Sequence, residues 1–235
     1  MLDIEFDFYK EAKGRDPDRY SPTLIKYHQI LWEKPLHDKK LFNLNLGEKN
    51  RLIHCSDLGV FELSSDTIGH TYRKWKRMAH IIKQIPKSDI DSFLKTCRTI
   101  GGYILFPANK VDGKGTINQE RGTNTLIRDR WDFTVECIRR HYIGDTSPLS
   151  DVLNRYSSFF KLFNSFEGYI KFFHLQEIVS KDFSEVNFFL TFNNFKDVPT
   201  PNSKEEYLIY RQALMSFVKK RNIRILDYVN EIKSC

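Results

Sequence analysis

Between residues 3 and 9, in DIEFDFY, acidic and apolar residues alternate, and this period of two predicts a strand with one buried face. GRDPDRY then reads as a turn, and Ser21-Pro22 supplies the N-cap and first-turn proline of a helix reaching about Trp32. Two short alternating stretches, LFNLNL (41–46) and RLIHCS (51–56), predict strands. Asp57-Leu58-Gly59 predicts a hairpin turn into a third strand, VFELS (60–64). From Ser65 or Asp66 the period changes. Ile68, Tyr72, Trp75, Ala79 and Ile82 recur every three or four residues, predicting the buried face of a helix that Pro86 stops near Ile85.

A shorter helix is expected over SDIDSFLKTC (88–97) and a buried strand over GGYILFP (101–107). The polar residues 108–123 read as a long loop, and the next helix is expected from about Asn124 to Tyr142, ended by Gly144. PLSDVLNRYSSFFKLF and FEGYIKFFHLQEIV continue the helical period, SEVNFFLTF (184–192) reads as a strand or a buried extended run, and Ser203 to Glu206 form a capping box for a long C-terminal helix. No repeat or Gly/Ser-rich linker divides the chain. The expectation is a single α+β domain over residues 1–235, mainly helical, with a small antiparallel sheet built from the N-terminal half.

With 235 residues, 40% of them hydrophobic, the chain can bury a large core without disulfides or a structural metal. The four cysteines lack metal-ligand spacing and read as reduced thiols, and the histidines show no HxxxH or HxH pairing. No apolar run is long enough for a membrane helix, and the acidic start is unlike a secretory leader, so a soluble cytoplasmic protein is expected, with no membrane partner. A net charge of +7 favours an anionic partner: nucleic acid, a nucleotide or an acidic protein.

Candidate chemistry concentrates after the 101–107 strand. DGKGT invites comparison with a phosphate-binding P-loop, but position 108 is Ala where that loop needs Gly, and Gly115 stands where it needs Ser or Thr. What remains is a polar loop carrying Asn109, Lys110, Lys114, Asn118 and Arg121, with Gly113, Gly115 and Gly122 allowing backbone N–H groups to approach an anion. A helix starting at Asn124 would point its positive end at the same place. Along that helix Arg128, Asp132, Glu136 and Arg140 recur every four residues, and His141 follows as a possible acid or base. The blander reading is a solvated loop and a charge-laced helix face. No GxSxG elbow is present, which argues against a serine hydrolase.

TIGGYILFP, TINQERG, RDRWDFTVECIRRHY and SPLSDVLNRYSSFF resemble blocks of an uncharacterised family of bacterial proteins, and the likeness spans about residues 3 to 225. That resemblance implies no activity, so no catalytic residue is carried over. The setting it suggests is a toxin or phage-defence effector.

Residues 67–88 contain no Asp or Glu, whereas Arg73, Lys76, Arg77, His80 and Lys83 would line the face of the 65–85 helix opposite its apolar stripe. A cationic strip of that kind suits a phosphate backbone. Arg73 and His80 also have six residues between them, which resembles the active-site spacing of the helical HEPN ribonucleases.

Together these features suggest a nucleic-acid- or nucleotide-directed protein, an RNA-cleaving nuclease if it is an enzyme. Catalysis would fall to Glu136, Asp132, His141 and Arg140. Binding would fall to Asn109, Lys114, Asn118, Arg121, Asn124 and Arg128, with Arg73, Lys76, Arg77 and His80 as a second surface. Two alternatives are a nucleotide-using transferase (ADP-ribosyl- or nucleotidyl-type) with Glu136 as base, and a non-enzymatic basic module. The sequence assigns no cofactor and no metal.

Overall fold

Proline and serine punctuation sets the first helices. The computed structural model describes residues 2–234. The alternating stretch 3–9 forms no strand: Asp7 caps a single helical turn, α1 (Phe8–Glu11), through the Lys10 N–H. Of its aromatic residues Phe8 is buried, packing edge-on against Tyr27 and Tyr103, Phe6 is half-buried and Tyr9 is exposed. Helices α2 (Pro17–Tyr20) and α3 (Pro22–Trp32) each begin with a capping side chain followed by proline, Asp16-Pro17 and Ser21-Pro22.

Four antiparallel strands follow in the order β1 (Asn45–Leu46), β2 (Leu52–Ser56), β3 (Gly59–Thr67) and β4 (Tyr103–Pro107). Ser56 pairs with Gly59, so Asp57 and Leu58 make a two-residue hairpin turn, as the sequence suggests. The expected helix over 65–85 does not form. β3 runs on through Ser64, Ser65, Asp66 and Thr67, because β4 pairs with all four. Beyond it, Tyr72 takes a left-handed φ of 56° with its ring buried against Tyr210, and a Cβ on Gly69 would lie 2.2 Å from the Cys97 Sγ. Helical geometry would break both contacts. Only α4 (Ala79–Ile82), preceded by a 3₁₀ turn at Lys76–Met78, remains of it.

Next come α5 (Lys87–Cys97), α6 (Ile117–Thr123), α7 (Trp131–Ile143), α8 (Ser150–Arg155), α9 (Ser157–Lys161), α10 (Phe166–Phe172) and α11 (Lys204–Ser234). The single helix expected from Asn124 begins at Trp131 instead. A separate helix, α6, occupies part of the expected loop, started by a reciprocal capping box between Thr116 and Gln119. Gly144, at φ 78°, ends α7 as expected. The 184–192 stretch forms an irregular run rather than a strand, with Val186 and Phe189 buried. Ser203 caps α11 through the Glu206 N–H, while the Glu206 carboxylate reaches the N–H of Asn202.

One contiguous apolar cluster extends from Leu2 to Val229 and takes in both faces of β4. α11 closes it. Its Arg221, fully buried, donates to the carbonyls of Phe173, Gly101 and Tyr103, and its Asn222 accepts the Gly101 N–H. Arg221 thereby satisfies three interior carbonyls without a carboxylate partner. Cys55, Cys97 and Cys137 are free thiols, and Cys235 lies outside the described residues. No helix among the described residues is long and apolar enough to cross a membrane.

Candidate functional site

β2 is shorter than β3, and this mismatch opens an edge. Pairing between them ends at Leu52–Leu63, yet β3 continues to Thr67 with β4 alone on its other side. The Ser65 N–H therefore has no strand partner on the open side, and an unpaired amide there carries a cost. α2 supplies the acceptor: Asp18 receives that N–H at 2.9 and 2.8 Å, one distance to each carboxylate oxygen.

Over this junction lies a polar cleft of about 360 Å³. Asp18 forms part of its wall, with Arg19, Arg51 and Lys110 as its cations and Asp16 as a second carboxyl. Burial pushes the Asp18 carboxyl up to about 7; the Ser65 hydrogen bond opposes the shift, Asp16 adds to it, and Arg51 works against it. Arg19 lies 3.8 Å from Asp16 and Arg51 lies 3.9 Å from Glu62, loose pairs that leave both guanidiniums able to turn to a ligand.

The Ser65 hydroxyl also meets His28, 2.9 Å from Nε2, which suggests a nucleophile and its base. Proton placement excludes that role. His28 Nδ1 accepts the Trp32 indole N–H at 3.0 Å, so in the neutral ring the proton sits on Nε2, which donates to Ser65. Burial, with Arg221 nearby, holds the His28 pKa down at about 3. The pair is a structural strut.

Part of the polar 109–124 stretch does line this cleft, though it does so with α2 and β3 and not with the face of α7. Asn118 donates from Nδ2 to the Ser64 hydroxyl at 3.1 Å, and its buried Oδ1 has no partner. Lys110, Thr116 and Gln119 complete that wall. Asn109 is held from behind, its carbonyl accepting the Tyr156 hydroxyl at 2.9 Å, while Lys114 is exposed outside the cleft. Asn124 marks the end of α6, not the start of a helix, and its side chain spans a turn from Pro148 O to Leu126 N. Arg128 lies in that turn at φ 47°, its guanidinium 4.7 Å from the Trp75 ring centre.

Of the ladder expected along α7, the Glu136–Arg140 step forms, whereas Asp132 pairs with Arg130 and Arg128 turns to Trp75. Asp132, fully buried, is held by Arg130 at 2.8 and 2.5 Å and accepts the Phe189 N–H at 2.9 Å. Glu136, also buried, takes both Arg139 and Arg140 at 2.8 Å, and Arg140 reaches on to Asn194 at 2.6 Å. Arg121 is fully buried, donating to Asp66 at 2.6 Å and to the Thr134 hydroxyl at 3.0 Å with its guanidinium over Trp131. His141 packs against the Phe160 ring, and burial lowers its pKa while a hydrogen bond with Asn154 opposes the change. These carboxylates are saturated by guanidinium and amide donors, the arrangement of a structural network.

His70, which the sequence did not mark, lies 3.5 Å from Asp129, and its Nδ1 accepts the Tyr72 N–H at 3.2 Å, so both ring nitrogens face partners. Arg73, Lys76, Arg77 and His80 are all exposed, but on turns and a one-turn helix rather than one helical face. The Arg73–His80 spacing therefore does not form a helical HEPN-type pair. Among the described residues no group of three or more His, Cys, Asp or Glu is placed to hold a metal ion.

Sequence reasoning did not find Asp18, Arg51 or Ser65. The available signal was Asp16-Pro17-Asp18, two carboxyls around a helix-starting proline, which read only as a turn. A family model matches residues 2–225. The chain belongs to the family of unknown function DUF6994. The cleft lies wholly within the DUF6994 match, as does every residue placed above except those at the end of α11. No curated protein and no solved structure matches the chain.

Proposed function

We propose that this DUF6994 protein binds a phosphorylated ligand, a nucleotide or a stretch of nucleic acid, in the cleft at the β3 edge, and that Asp18 moves a proton there. The observation that carries the reading is the Asp18 carboxyl, placed in the cleft wall with its pKa raised to about 7. A carboxyl poised near neutrality exists in both protonation states, as a general acid or base requires. Arg19, Arg51 and Lys110 outnumber the two carboxyls beside them, which suits a phosphate. The unpartnered Asn118 Oδ1 offers an acceptor to a base or sugar N–H or O–H. The net charge of +7 favours the same class of ligand.

Calorimetric titration with AMP, ATP and a short single-stranded RNA tests the reading, with product analysis by gel and mass spectrometry. Arg51→Glu is expected to weaken binding at least tenfold. Asp18→Asn is expected to keep binding and to lose any turnover. If none of these ligands binds wild type more tightly than Arg51→Glu, the reading fails.

The 73–83 segment supports a second reading, a basic surface that docks nucleic acid without chemistry, since Arg73, Lys74, Lys76, Arg77, His80 and Lys83 are all exposed. The transferase reading with Glu136 as base loses its support, because Glu136 already bonds two guanidiniums.

A further inference from the structure

Trp75 stands inside the basic segment. Trp32 and Trp131 are fully buried, whereas Trp75 is half-buried, the only one of the three indoles that solvent reaches. Exposed cations adjoin it in the chain, Arg73 and Lys74 before it and Lys76 and Arg77 after it. Its backbone is fixed from both ends. Tyr72 and Met78 are buried, the Trp75 N–H donates to the Tyr72 carbonyl at 3.0 Å, and the Trp75 carbonyl accepts the Met78 N–H at 2.9 Å. Tyr72 and His70 brace the ring, meeting it at steep angles with centroids 5.6 and 6.1 Å away.

Arg128 reaches the same ring from the turn after α6, its guanidinium carbon 4.7 Å from the ring centre. That turn is tied down as well, with Ile127 buried and the Asn124 side chain bonded to Pro148 O and Leu126 N. Among the described residues no carboxylate pairs with Arg128, and neither its guanidinium nor the Trp75 indole N–H has a hydrogen-bond partner. The carboxylates nearby are engaged elsewhere. Asp129 faces His70 at 3.5 Å, and Glu206 accepts the N–H of Asn202, whose side chain takes Arg77.

The ring quadrupole holds a cation over an indole without using up its N–H donors. A guanidinium held in this way offers those donors to a phosphate, and the indole offers an apolar face to a base. The exposed cations alone suit any phosphate backbone, paired or unpaired. The indole separates the two cases. In a duplex the bases stack on one another and only phosphates would meet this surface, whereas a single strand has bases free to lie against a ring.

We infer that Trp75 and Arg128 form a stacking site for a base of single-stranded nucleic acid, with Arg73, Lys74, Lys76 and Arg77 along its phosphates. The inference rests on the second reading above, in which the 73–83 segment docks nucleic acid, and is independent of the β3-edge cleft.

The test titrates the wild-type protein with an oligo(U) single strand and with an RNA duplex of the same length. Labelled RNA reports affinity, and tryptophan emission reports stacking, to which only Trp75 is open because the other two indoles are buried. The single strand is expected to quench the emission as it binds, and the duplex to leave it unchanged. Trp75→Leu alters no charge. It should weaken single-strand binding at least fivefold, keep the slope of log K against log salt, and leave duplex affinity within twofold. Trp75→Phe should restore most of the single-strand affinity. Single-strand binding without quenching in wild type, or a Trp75→Leu variant that weakens both forms alike, overturns the inference and leaves docking by charge alone. If neither RNA binds, or both bind as well after Arg73, Lys76 and Arg77 are changed together to Glu, the reading of the segment fails and the inference with it.

Discussion

Asp18 holds the amide of Ser65 through both carboxylate oxygens, at 2.9 and 2.8 Å, across 47 residues of chain. The contact carries a pH signature. The Asp18 pKa is about 7 in the folded protein and 3.8 in the ordinary state, so between these values the folded chain binds a proton that the unfolded chain does not. Its contribution to stability is therefore greatest near pH 4, declines as pH rises to about 7, and is level beyond. Asp18→Asn removes the titrating group. The variant should melt within about 1 °C of wild type at pH 4.5 and a few °C above it at pH 8, about 2–4 °C per kcal/mol for a chain of this size. A difference in melting temperature that does not change with pH would show that Asp18 titrates normally.

Removing one partner from the buried networks should cost stability rather than chemistry. Arg121→Met leaves the Asp66 carboxylate without its guanidinium, while the Thr134 hydroxyl keeps its bond to the Arg130 carbonyl, and should cost about 2–4 kcal/mol. Glu136→Gln should cost less, about 1–2 kcal/mol, because the side chains of Arg139 and Arg140 remain 21% and 19% exposed and can turn to water. Urea melts run beside ligand titrations check both. Loss of ligand binding in either variant with an unchanged melt would return these residues to a functional site.

Local signals were legible in the sequence wherever a short segment decides its own geometry. Ser21-Pro22, the Asp57-Leu58 hairpin turn, Gly144 and Ser203 each sit where their chemistry suggests. Long-range partners overrode the rest. Ser65 and Asp66 look like helix caps in isolation, yet their strand is held by β4, and their polar groups go to Asp18 and Arg121, 47 and 55 residues away. The Arg130–Asp132 pair falls outside a four-residue spacing, because Arg130 precedes α7 and stands two residues from Asp132. The sequence pairs the 109–124 stretch with the helix that follows it, whereas Lys110, Thr116, Asn118 and Gln119 line a cleft with α2 and β3, because nothing in the sequence signals that α2 folds back to face them.

Gly101 should tolerate no side chain. A Cβ there would lie 2.5 Å from the Asn222 Oδ1 and 2.6 Å from the Val218 carbonyl, so α11 would have to move away from the sheet. Gly101→Ala is expected to destabilise by about 2–4 kcal/mol, measurable as a lowered urea midpoint. A near-wild-type midpoint would mean that α11 is not packed this tightly.

The basic segment offers a direct discriminator between the two functional readings. Changing Arg73, Lys76 and Arg77 together to Glu should leave the melt nearly unchanged, because all three are exposed. If the segment docks nucleic acid, RNA affinity should fall at least tenfold and the slope of log K against log salt should flatten by about 2–3. An unchanged affinity and slope would leave the β3-edge cleft as the only contact proposed.

Arg221 bonds partners 48, 118 and 120 residues earlier in the chain, which bears on the order in which a ribosome delivers this protein. While α11 is still in the exit tunnel, the carbonyls of Phe173, Gly101 and Tyr103 have already emerged and lack the donor that the finished interior provides. Nascent chains should therefore remain protease-sensitive around residues 100–105 until Arg221 clears the tunnel, and become resistant in a single late step.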